Sequence, residues 1–361
     1  SLAIVERSVL DRTSFLDRLA DATRNLVVGP ASALTTDIGP LIDAPTGPLL
    51  RALTELESGE TWLVRPEPLG GDGRLWSPGV RLGVQPGSWF HLTECFGPVL
   101  GVIAADGLDH AIELQNAPAF GLTAGLHSLD PGEIERWVDG VQAGNLYVNR
   151  TTTGAVVGRQ PFGGWKQSVV GPTAKAGGRH YVDALCSWRA GESDEPDEPA
   201  VDHDPYRRWA QLHLGVGVDV QALRCESNVV RWRALPGGVA LRVGPGASQA
   251  QVAAAMAVAG SAGCRVVRSD SADTSDDEFA MSLGSLRVDR LRVIGDMSDA
   301  IRTAAHRIGI VVDERPVSAL ADAELPRWLR EQSVTIIRHR HGHLARARPT
   351  AEGADLRARS T

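Results

Sequence analysis

The chain has 361 residues, of which 43% are hydrophobic and 22% are charged, and this length and composition fit two globular domains rather than a disordered or fibrous protein. Its formal charge of −7 provides no broad basic surface, so nucleic acid is not expected as a main partner. The longest apolar runs fall far below the ~18 residues that a membrane-spanning helix requires, so no span is predicted.

The sequence begins with Ser1 and enters an apolar run at 2–5 that predicts a buried strand. A strand of this kind normally lies inside a sheet, and neither a cap nor a secretory segment precedes it. We therefore expect the chain to be a fragment of a longer polypeptide.

Strand and helix patterns alternate through the first half of the chain. Helices are predicted at 11–23, 50–56, 108–116 and 133–142, strands at 2–5, 125–128 and 146–148, and a strand-rich stretch at 82–103. Such alternation predicts a parallel α/β sheet.

The composition changes at 190–205, AGESDEPDEPAVDHDP, where acidic residues and prolines exclude a packed core and predict a linker. A second, smaller α/β unit is predicted beyond it. Its predicted strands are 239–243, 264–268, 291–294, 310–313 and 334–338, and its predicted helices are 248–261, 298–308 and 322–332.

Glu94 and Phe96 stand two residues apart in the run ECFGPV, which is expected to follow a strand. On extended backbone both side chains leave on one face, where a carboxylate can accept ribose hydroxyls and a ring can pack on a nicotinamide. The alternative is a surface glutamate beside a core phenylalanine. Cys95 points the other way and is expected to be a small buried residue rather than a nucleophile.

A second candidate site lies in the run NLYVNRTTTGAVVGRQPFGG, at 145–164. Small residues at Thr153, Gly154 and Ala155 leave successive backbone N–H groups uncovered, an arrangement that suits a carboxylate. A plain glycine turn is the alternative. The glycine-rich run at 158–178, which includes Phe162, allows backbone and rings to approach a ligand closely.

In order and spacing, ECFGP, AIELQNAPAFGLTAGLHS, GNLYVN and PFGGWKQS resemble the C-terminal half of the aldehyde dehydrogenase catalytic domain, over about residues 1–190. The run NRTTTGAVVGRQPFGGWKQSVVGPTAKAGG resembles the branch that oxidises L-glutamate γ-semialdehyde, formed from pyrroline-5-carboxylate, to glutamate. Two later runs, LRCESNVVRWRALPGGVALRV and LREQSVTIIRHRHG, resemble the extra C-terminal domain of bifunctional proline utilisation flavoproteins.

The resemblance implies an α/β fold in which half of an aldehyde dehydrogenase catalytic domain precedes a smaller Rossmann-like domain. The corresponding division is 1–189 for the first domain, 190–205 for the linker, 206–345 for a non-catalytic second domain and 346–361 for a basic tail. It also implies a homo-oligomeric, cytoplasmic enzyme that acts on a small-molecule substrate.

For the candidate residues, the resemblance implies that Glu94 binds the nicotinamide ribose of NAD and that Phe96 packs near the nicotinamide. Gly154 and Ala155 would donate backbone N–H groups to the substrate carboxylate, with Thr153 beside them, and Phe162 would line the aldehyde tunnel. FAD is implied only in an upstream domain.

The family mechanism uses a cysteine thiolate as nucleophile and a glutamate as general base, and neither is expected in this chain. Its four cysteines, Cys95, Cys186, Cys225 and Cys264, form no C-x-x-C pair or disulfide framework, which favours a reducing cytoplasm. None falls at the place of the family nucleophile, so no catalytic residue is assigned and the isolated segment is expected to be inactive.

Two features of the second domain resemble sites without being predicted as such. Gly244 and Gly246 follow a strand, but Gln249 stands where a dinucleotide-binding loop needs a third glycine. His339, His341 and His343 alternate as metal ligands can, but the surrounding arginines favour an exposed end, and no metal site is predicted.

Two other functions remain open at this point. The chain could be a stand-alone interaction or capping module, or it could belong to a dehydrogenase for another semialdehyde. The missing initial Met opposes the first, and the run TTTGAVVGRQPFGG opposes the second.

Overall fold

The computed structural model describes residues 1–169, 175–178, 180–182, 185–186, 204–219 and 221–338. In these ranges the α/β fold predicted from the sequence is confirmed, and each four-stranded sheet contains parallel strand pairs. The chain divides into two compact units, Ser1–Gly121 with Gly132–Gln142, and Leu122–Pro131 with Ala143–Thr361.

The first unit carries a four-stranded sheet of order β1-β6-β5-β2, in which only the β2–β5 pair is antiparallel. The elements are, in chain order, β1 (Leu2–Glu6), α1 (Arg7–Leu10), α2 (Thr13–Arg24), α3 (Gly47–Thr54), β2 (Thr61–Val64), β3 (Pro68–Leu69), β4 (Leu75–Trp76), β5 (Gly79–Leu82), α4 (Trp89–Leu92), β6 (Val99–Ala105), α5 (Leu108–Asn116), β7 (Phe120–Gly121) and α6 (Pro131–Gly140).

The core of the first unit packs around β6, whose sequence VLGVIAA is apolar throughout, as expected for a strand covered on both faces. Leu53 of α3 and Phe90 of α4 join Ile103 of β6 in this core, and all three are at most 2% exposed. The core therefore holds α3, α4 and β6 together around the segment 93–98.

The second unit contains two four-stranded sheets. Its elements are, in chain order, β8 (Thr123–Leu126), β9 (Asn145–Val148), β10 (Trp165–Lys166), α7 (Asp204–His213), β11 (Glu226–Ala234), β12 (Val239–Val243), α8 (Gln249–Ala262), β13 (Val266–Asp270), α9 (Asp276–Ser282), a 3₁₀ turn (Leu283–Leu286), β14 (Arg290–Ile294), α10 (Asp299–Ile308), β15 (Val311–Asp313), α11 (Ala321–Glu324), a 3₁₀ turn (Leu325–Trp328) and β16 (Leu329–Ile337).

One of these sheets joins distant parts of the sequence in the order β11-β16-β9-β8. β16 pairs in parallel with β9, so that Ser333 lies opposite Asn145, and antiparallel with β11. Strands from both sides of the predicted linker thus share one sheet. The boundaries of the two domains, at residues 189 and 206, stay a prediction.

The other sheet, of order β13-β12-β14-β15, is parallel throughout. Its helix α8 begins after Ser248, whose side chain accepts a hydrogen bond from the Gln251 N–H, and ends at Gly263 with a left-handed φ of 64°. The helix between these signals, Gln249–Ala262, lies within one residue of the predicted helix at 248–261.

Two predictions about the second half are wrong. The helix predicted at 322–332 stops after one turn, because Pro326 lies in a 3₁₀ turn and the chain then extends as β16. The predicted linker ends too late, because α7 begins at Asp204. Residues 190–203 of that linker, the histidines at 339, 341 and 343, and the tail at 346–361 lie outside the described residues.

No helix in the described part of the chain is both long enough and apolar enough to cross a bilayer. Over the same ranges, no group of three or more His, Cys, Asp or Glu side chains is arranged to hold a metal ion.

Candidate functional site

The first group of candidate residues lies in the segment 93–98 of the first unit. The prediction that a strand precedes it is wrong: the short helix α4 comes before it and β6 follows. Glu94 is exposed, Phe96 is 84% exposed, and Cys95 between them is buried. The predicted separation of the three side chains is therefore present, although the backbone is not a strand.

Phe96 adopts a left-handed conformation with φ of 45°, which is strained for a residue with a side chain. The next residue, Gly97, packs against α3, where an added Cβ would lie 2.2 Å from Leu49 Cδ1. The buried Cys95 and this close packing fix the segment on both sides of Phe96. The ring is consequently held out from the surface at a conformational cost.

Cys95 has the properties of a structural cysteine. Burial raises the pKa of its thiol, which disfavours the nucleophilic thiolate. Burial raises the pKa of Cys264 in the same way. All four cysteines are free thiols.

The second group lies in the second unit, in the segment Thr151 to Gln160 after β9, which we call the substrate loop. Thr153 and Gly154 are exposed and Ala155 is half-buried. Gly154 has a left-handed φ of 76°, and its carbonyl accepts a hydrogen bond of 3.3 Å from Arg150 Nη2. The described part of the chain contains no acceptor for the N–H groups of Gly154 and Ala155, so this loop offers two adjacent donors near solvent.

The far end of the substrate loop is fixed by Gln160, which is 4% exposed. Its Nε2 donates to Glu226 Oε1 at 2.5 Å and to Asn228 Oδ1 at 2.9 Å, both on β11. Its Oε1 accepts from the Val156 N–H at 2.7 Å. These bonds from the buried Gln160 side chain stabilise the loop, so its conformation does not depend on hydrogen bonds from the N–H groups of Gly154 and Ala155.

Phe162 is half-buried in the glycine-rich segment after the loop. Its backbone exchanges two hydrogen bonds with Ala176, of 3.0 and 2.8 Å. The segment passes so close to β9 that a Cβ on Gly144 would lie 2.0 Å from the carbonyl oxygen of Gly163. This close approach is the physical reason that glycine is needed there.

Lys175 lies beneath this segment and is 1% exposed. Its ammonium donates to Gly144 O and Gly163 O, both at 2.7 Å, and to Asn145 Oδ1 at 3.0 Å. Burial lowers its pKa to about 7, and burial raises the pKa of the neighbouring Glu331 to about 7. The lysine thus ties the glycine-rich segment to the start of β9.

The predicted site residues fall into the two units. Glu94 and Phe96 belong to the first, whereas Thr153, Gly154, Ala155 and Phe162 belong to the second, on one continuous segment. The sequence did not reveal the residues that support the substrate loop, Gln160, Glu226, Asn228 and Lys175. The only available signal was the polar alternation of Glu226 and Asn228, which places both on one face of a strand.

The turn at Gly244 and Gly246 joins β12 to α8. The Asp296 N–H donates to Pro245 O at 2.8 Å, and a Cβ on Gly244 would lie 2.0 Å from Asp296 O. The turns that follow β12 and β14 are therefore in direct backbone contact at the edge where a doubly wound sheet binds its ligand. That this turn does not bind a nucleotide stays a prediction.

Comparison with known proteins places these features in a family. A sequence model of the aldehyde dehydrogenase family matches residues 1–190. The chain is 35% identical over 187 residues to a 1-pyrroline-5-carboxylate dehydrogenase of Geobacillus sp. (strain WCH70), a match that covers 50% of this chain and 35% of the relative. It is 33% identical over 187 residues to 1-pyrroline-5-carboxylate dehydrogenase 2 of Halalkalibacterium halodurans, with the same coverages.

Among solved structures, the chain is similar to proline utilization A (PutA) from Corynebacterium freiburgense, with 42% identity and a TM-score of 0.81 over 95% of this chain and 36% of that one. The chain thus spans about a third of the length of the relatives it matches. Since the family match extends over more than half of its residues, the chain belongs to the aldehyde dehydrogenase family.

Proposed function

We propose that this chain forms the C-terminal part of an NAD-dependent dehydrogenase that oxidises L-glutamate γ-semialdehyde, derived from pyrroline-5-carboxylate, to L-glutamate. The observation that carries the proposal is the substrate loop, in which Gly154 is left-handed and the N–H groups of Gly154 and Ala155 have no acceptor within the described residues. An aldehyde with a carboxylate supplies the acceptor that these donors lack.

The relatives support this choice of substrate. Two curated relatives are named 1-pyrroline-5-carboxylate dehydrogenases, and the similar solved structure is a proline utilization A. The last similarity extends beyond the family match into the second half of the chain. On this basis we keep 1–189 as half of a catalytic domain, and we place the non-catalytic Rossmann-like domain after the linker, from the start of α7 at Asp204 to residue 345.

In the proposed reaction, the N–H groups of Gly154 and Ala155 bind the substrate carboxylate and Thr153 lies beside it. This fixes the aldehyde end at a set distance, where Phe162 excludes water from its path. Positioning of this kind lowers the barrier because the reacting groups no longer lose orientational freedom in the transition state.

Glu94 and Phe96 fit the nicotinamide end of NAD. The exposed carboxylate can accept hydrogen bonds from ribose hydroxyls, and the exposed ring can pack on a flat heteroaromatic group. When bound, NAD accepts the hydride that leaves the substrate carbon. The strained φ of Phe96 supports a functional role, because strain persists where the surrounding structure enforces it.

The nucleophile and general base of the family chemistry are proposed to lie outside these 361 residues. For two of the four cysteines, Cys95 and Cys264, the pKa raised by burial disfavours the thiolate that such a nucleophile needs. We further propose that the complete enzyme is a cytoplasmic homo-oligomer, and that FAD, if bound, belongs to an upstream domain.

The proposal is tested on the natural polypeptide that contains this sequence. Its intact mass in the source cells is expected to be far above the 38.4 kDa of this chain, and the excess separates a single dehydrogenase from a bifunctional flavoprotein. The purified polypeptide should reduce NAD with L-glutamate γ-semialdehyde much faster than with succinate semialdehyde or propanal.

Three results would argue against the proposal. A natural mass of about 38.4 kDa would favour a stand-alone interaction module. If the polypeptide preferred another semialdehyde, the proposed substrate would be wrong. In the natural polypeptide, Glu94→Ala should raise KM for NAD or slow hydride transfer, whereas the exposed control Glu135→Ala should not; equal kinetics for the two variants would remove Glu94 from the cofactor site.

A further inference from the structure

A cavity of about 290 Å³ lies within the second unit, on one face of the sheet that contains β11 and β16. Asn228, Val230 and Trp232 alternate along β11, so they share this face. We call this space the sheet-face cavity. It has about twice the volume of the ~150 Å³ engineered cavity that admits benzene, so a small organic molecule fits within it.

The walls of the sheet-face cavity are largely apolar. Val230 and Trp232 belong to the sheet, and Val216 and Val218 belong to the segment that runs beside β11; all four are only half-buried. Pro161 of the glycine-rich segment also lines the cavity. These side chains leave apolar surface that a ligand would remove from water. A lining of this kind with a few polar groups is typical of small-molecule sites.

Asn228 contributes a buried hydrogen-bond donor to this lining. Gln160 and Thr335 both donate to its Oδ1, at 2.9 and 3.1 Å, which fixes the orientation of the amide. Its Nδ2 has no acceptor among the described residues, although Asn228 is only 4% exposed. A buried donor without a partner destabilises the fold, and an oxygen atom of a ligand would satisfy it.

The ionisable side chains that line the cavity favour an anion over a cation. Glu331 is the one acidic residue among the described lining residues, and its charge is offset by Lys175, whose backbone N–H donates to the carboxyl group and whose ammonium attracts it. Burial also raises the pKa of Glu331 to about 7. Four basic side chains line the cavity, namely Arg159, His180, His213 and Arg231.

Two further carboxylates lie near Asn228, and both already have partners. Asp219 accepts three hydrogen bonds from neighbouring N–H and O–H groups. Glu226 accepts from Gln160 and lies 3.6 Å from the guanidinium of Arg150. Neither carboxylate lines the cavity. Their charges are therefore compensated on the far side from a ligand at Asn228.

Arg159 supplies a cation for such a ligand. It lies in the substrate loop beside Gln160, whose amide donates to Asn228. Arg159 is exposed, and its guanidinium forms no ion pair with any residue that the structure describes. A carboxylate that accepts from Asn228 Nδ2 can thus gain a second, charged donor, and charge-assisted hydrogen bonds are stronger than neutral ones.

We propose that the sheet-face cavity binds a monocarboxylate with an apolar body. Asn228 Nδ2 and Arg159 hold its carboxylate, and its body lies over Val230 against Trp232. The proposal does not rest on the proposed dehydrogenase function, because it uses no residue assigned to NAD or to the aldehyde. The donors of the substrate loop, at Gly154 and Ala155, do not line this cavity.

The test is isothermal titration calorimetry of the 361-residue chain with 4-phenylbutanoate as the probe. We expect saturable 1:1 binding with a dissociation constant below about 1 mM. The matched amide, 4-phenylbutanamide, should bind about 5-fold more weakly, because it keeps an acceptor but loses the charge. The amine 4-phenylbutylamine and the short acid butanoate should bind at least about 10-fold more weakly, because one lacks an acceptor and the other lacks the apolar body.

Asn228→Asp tests the donor. This change keeps the oxygen that accepts from Gln160 and Thr335 and replaces the free donor with a carboxylate oxygen. It should weaken 4-phenylbutanoate binding at least about 10-fold and strengthen 4-phenylbutylamine binding, so that the preference between acid and amine is reversed. Asn25→Asp, at an exposed position, is the control and should leave both affinities unchanged.

Arg159→Gln tests the cation at an exposed position that should not disturb folding. We expect 4-phenylbutanoate to bind about 5-fold more weakly to this variant, with little change for 4-phenylbutanamide, because only the acid carries the charge that Arg159 attracts. Arg18→Gln, also exposed, removes the same charge elsewhere on the chain and should change neither affinity.

The proposal is overturned if 4-phenylbutanoate shows no saturable binding, or if the amide or the amine binds as tightly. It is also overturned if Asn228→Asp folds and binds 4-phenylbutanoate as Asn25→Asp does, or if Arg159→Gln has the same affinity as Arg18→Gln. If Asn228→Asp fails to fold, as judged by circular dichroism, the Arg159 comparison and the probe series still decide the outcome.

Discussion

Gln160 and Asn228 are 68 residues apart in sequence, and a hydrogen bond of 2.9 Å joins their side chains. It links the substrate loop to β11, a strand that follows the predicted linker. The loop that carries the proposed carboxylate donors is thus supported by the part of the chain that resembles a non-catalytic domain. We infer that the second half of the chain stabilises the substrate loop directly.

This relationship predicts the effect of Gln160→Met. The change keeps the side-chain volume but leaves the Val156 N–H without its acceptor and removes the hydrogen bonds that Gln160 donates to Glu226 and Asn228. We expect the free energy of unfolding of the second unit to fall by about 2–3 kcal/mol, measured by urea denaturation. Gln167→Met, at an exposed position, is the control, and equal midpoints for the two variants would show that Gln160 is not a structural support.

Gly154→Ala tests the donors themselves. At φ of 76° a side chain is strained by about 1–2 kcal/mol, although an added Cβ would meet nothing within 4 Å. The loop should therefore relax away from the left-handed conformation and turn its N–H groups. In the natural polypeptide, we expect kcat/KM for the carboxylated aldehyde to fall 10-fold or more, with little change for propanal.

Gly87→Ala provides the matched control, because Gly87 has a φ of 75° and equally open surroundings in a turn of the first unit. It should lose comparable stability without any change in substrate preference. Equal losses of activity towards both aldehydes in Gly154→Ala would contradict carboxylate binding at the loop.

Local patterns in the sequence were sufficient for many elements but not for the sheet that supports the site. The helix predicted at 108–116 and the strand predicted at 239–243 coincide with α5 and β12, because their apolar residues repeat with the period of one element. β16 was predicted partly as a helix, since its strand conformation depends on pairing with β9, more than 180 residues earlier. The local pattern of apolar residues does not indicate pairing between strands so far apart in the sequence.

The candidate site also contains some residues whose role local sequence predicts and others whose role only the fold reveals. Gly154 could be predicted as a special backbone position from its small neighbours, and its left-handed φ agrees with that prediction. The burial of Lys175 and Glu331 could not be predicted, because long charged side chains are usually exposed. Only the fold reveals that the backbone acceptors of Gly144 and Gly163 surround the ammonium of Lys175.

Phe96 yields a prediction about stored strain. Its φ of 45° is unfavourable for alanine as well as for phenylalanine, whereas glycine adopts it freely. We expect Phe96→Gly to unfold with a free energy about 1 kcal/mol higher than that of Phe96→Ala, measured by urea denaturation of the 361-residue chain. Neither variant loses much burial, because the ring is 84% exposed.

The control for Phe96 is Leu92, an exposed residue at the end of α4. There, the glycine variant should be less stable than the alanine variant, as in ordinary helical backbone. If Phe96→Gly were also the less stable of its pair, the left-handed conformation would not be a source of strain. In the natural polypeptide both Phe96 variants should raise KM for NAD, since both remove the ring.

Glu331 makes stability depend on pH in a direction opposite to that of most carboxylates. Burial raises its pKa from 4.5 to about 7, so between these pH values the folded state holds a proton that the unfolded state releases. The contribution of this protonation to the free energy of unfolding is fully present below pH 4.5 and is lost as the pH rises towards 7. Its upper magnitude is about 3 kcal/mol.

Glu331→Gln mimics the protonated side chain and removes this dependence. We therefore expect the wild-type chain to lose stability relative to the variant as the pH rises from 4.5 to 7, in urea denaturation at a series of pH values. Groups that do not interact with Glu331 titrate alike in both proteins and cancel in the difference, whereas Lys175 interacts with Glu331 and contributes to it. A difference that stays constant with pH would show that Glu331 is charged throughout this range, and that Lys175, whose own pKa is lowered to about 7 by burial, keeps its proton to neutralise it.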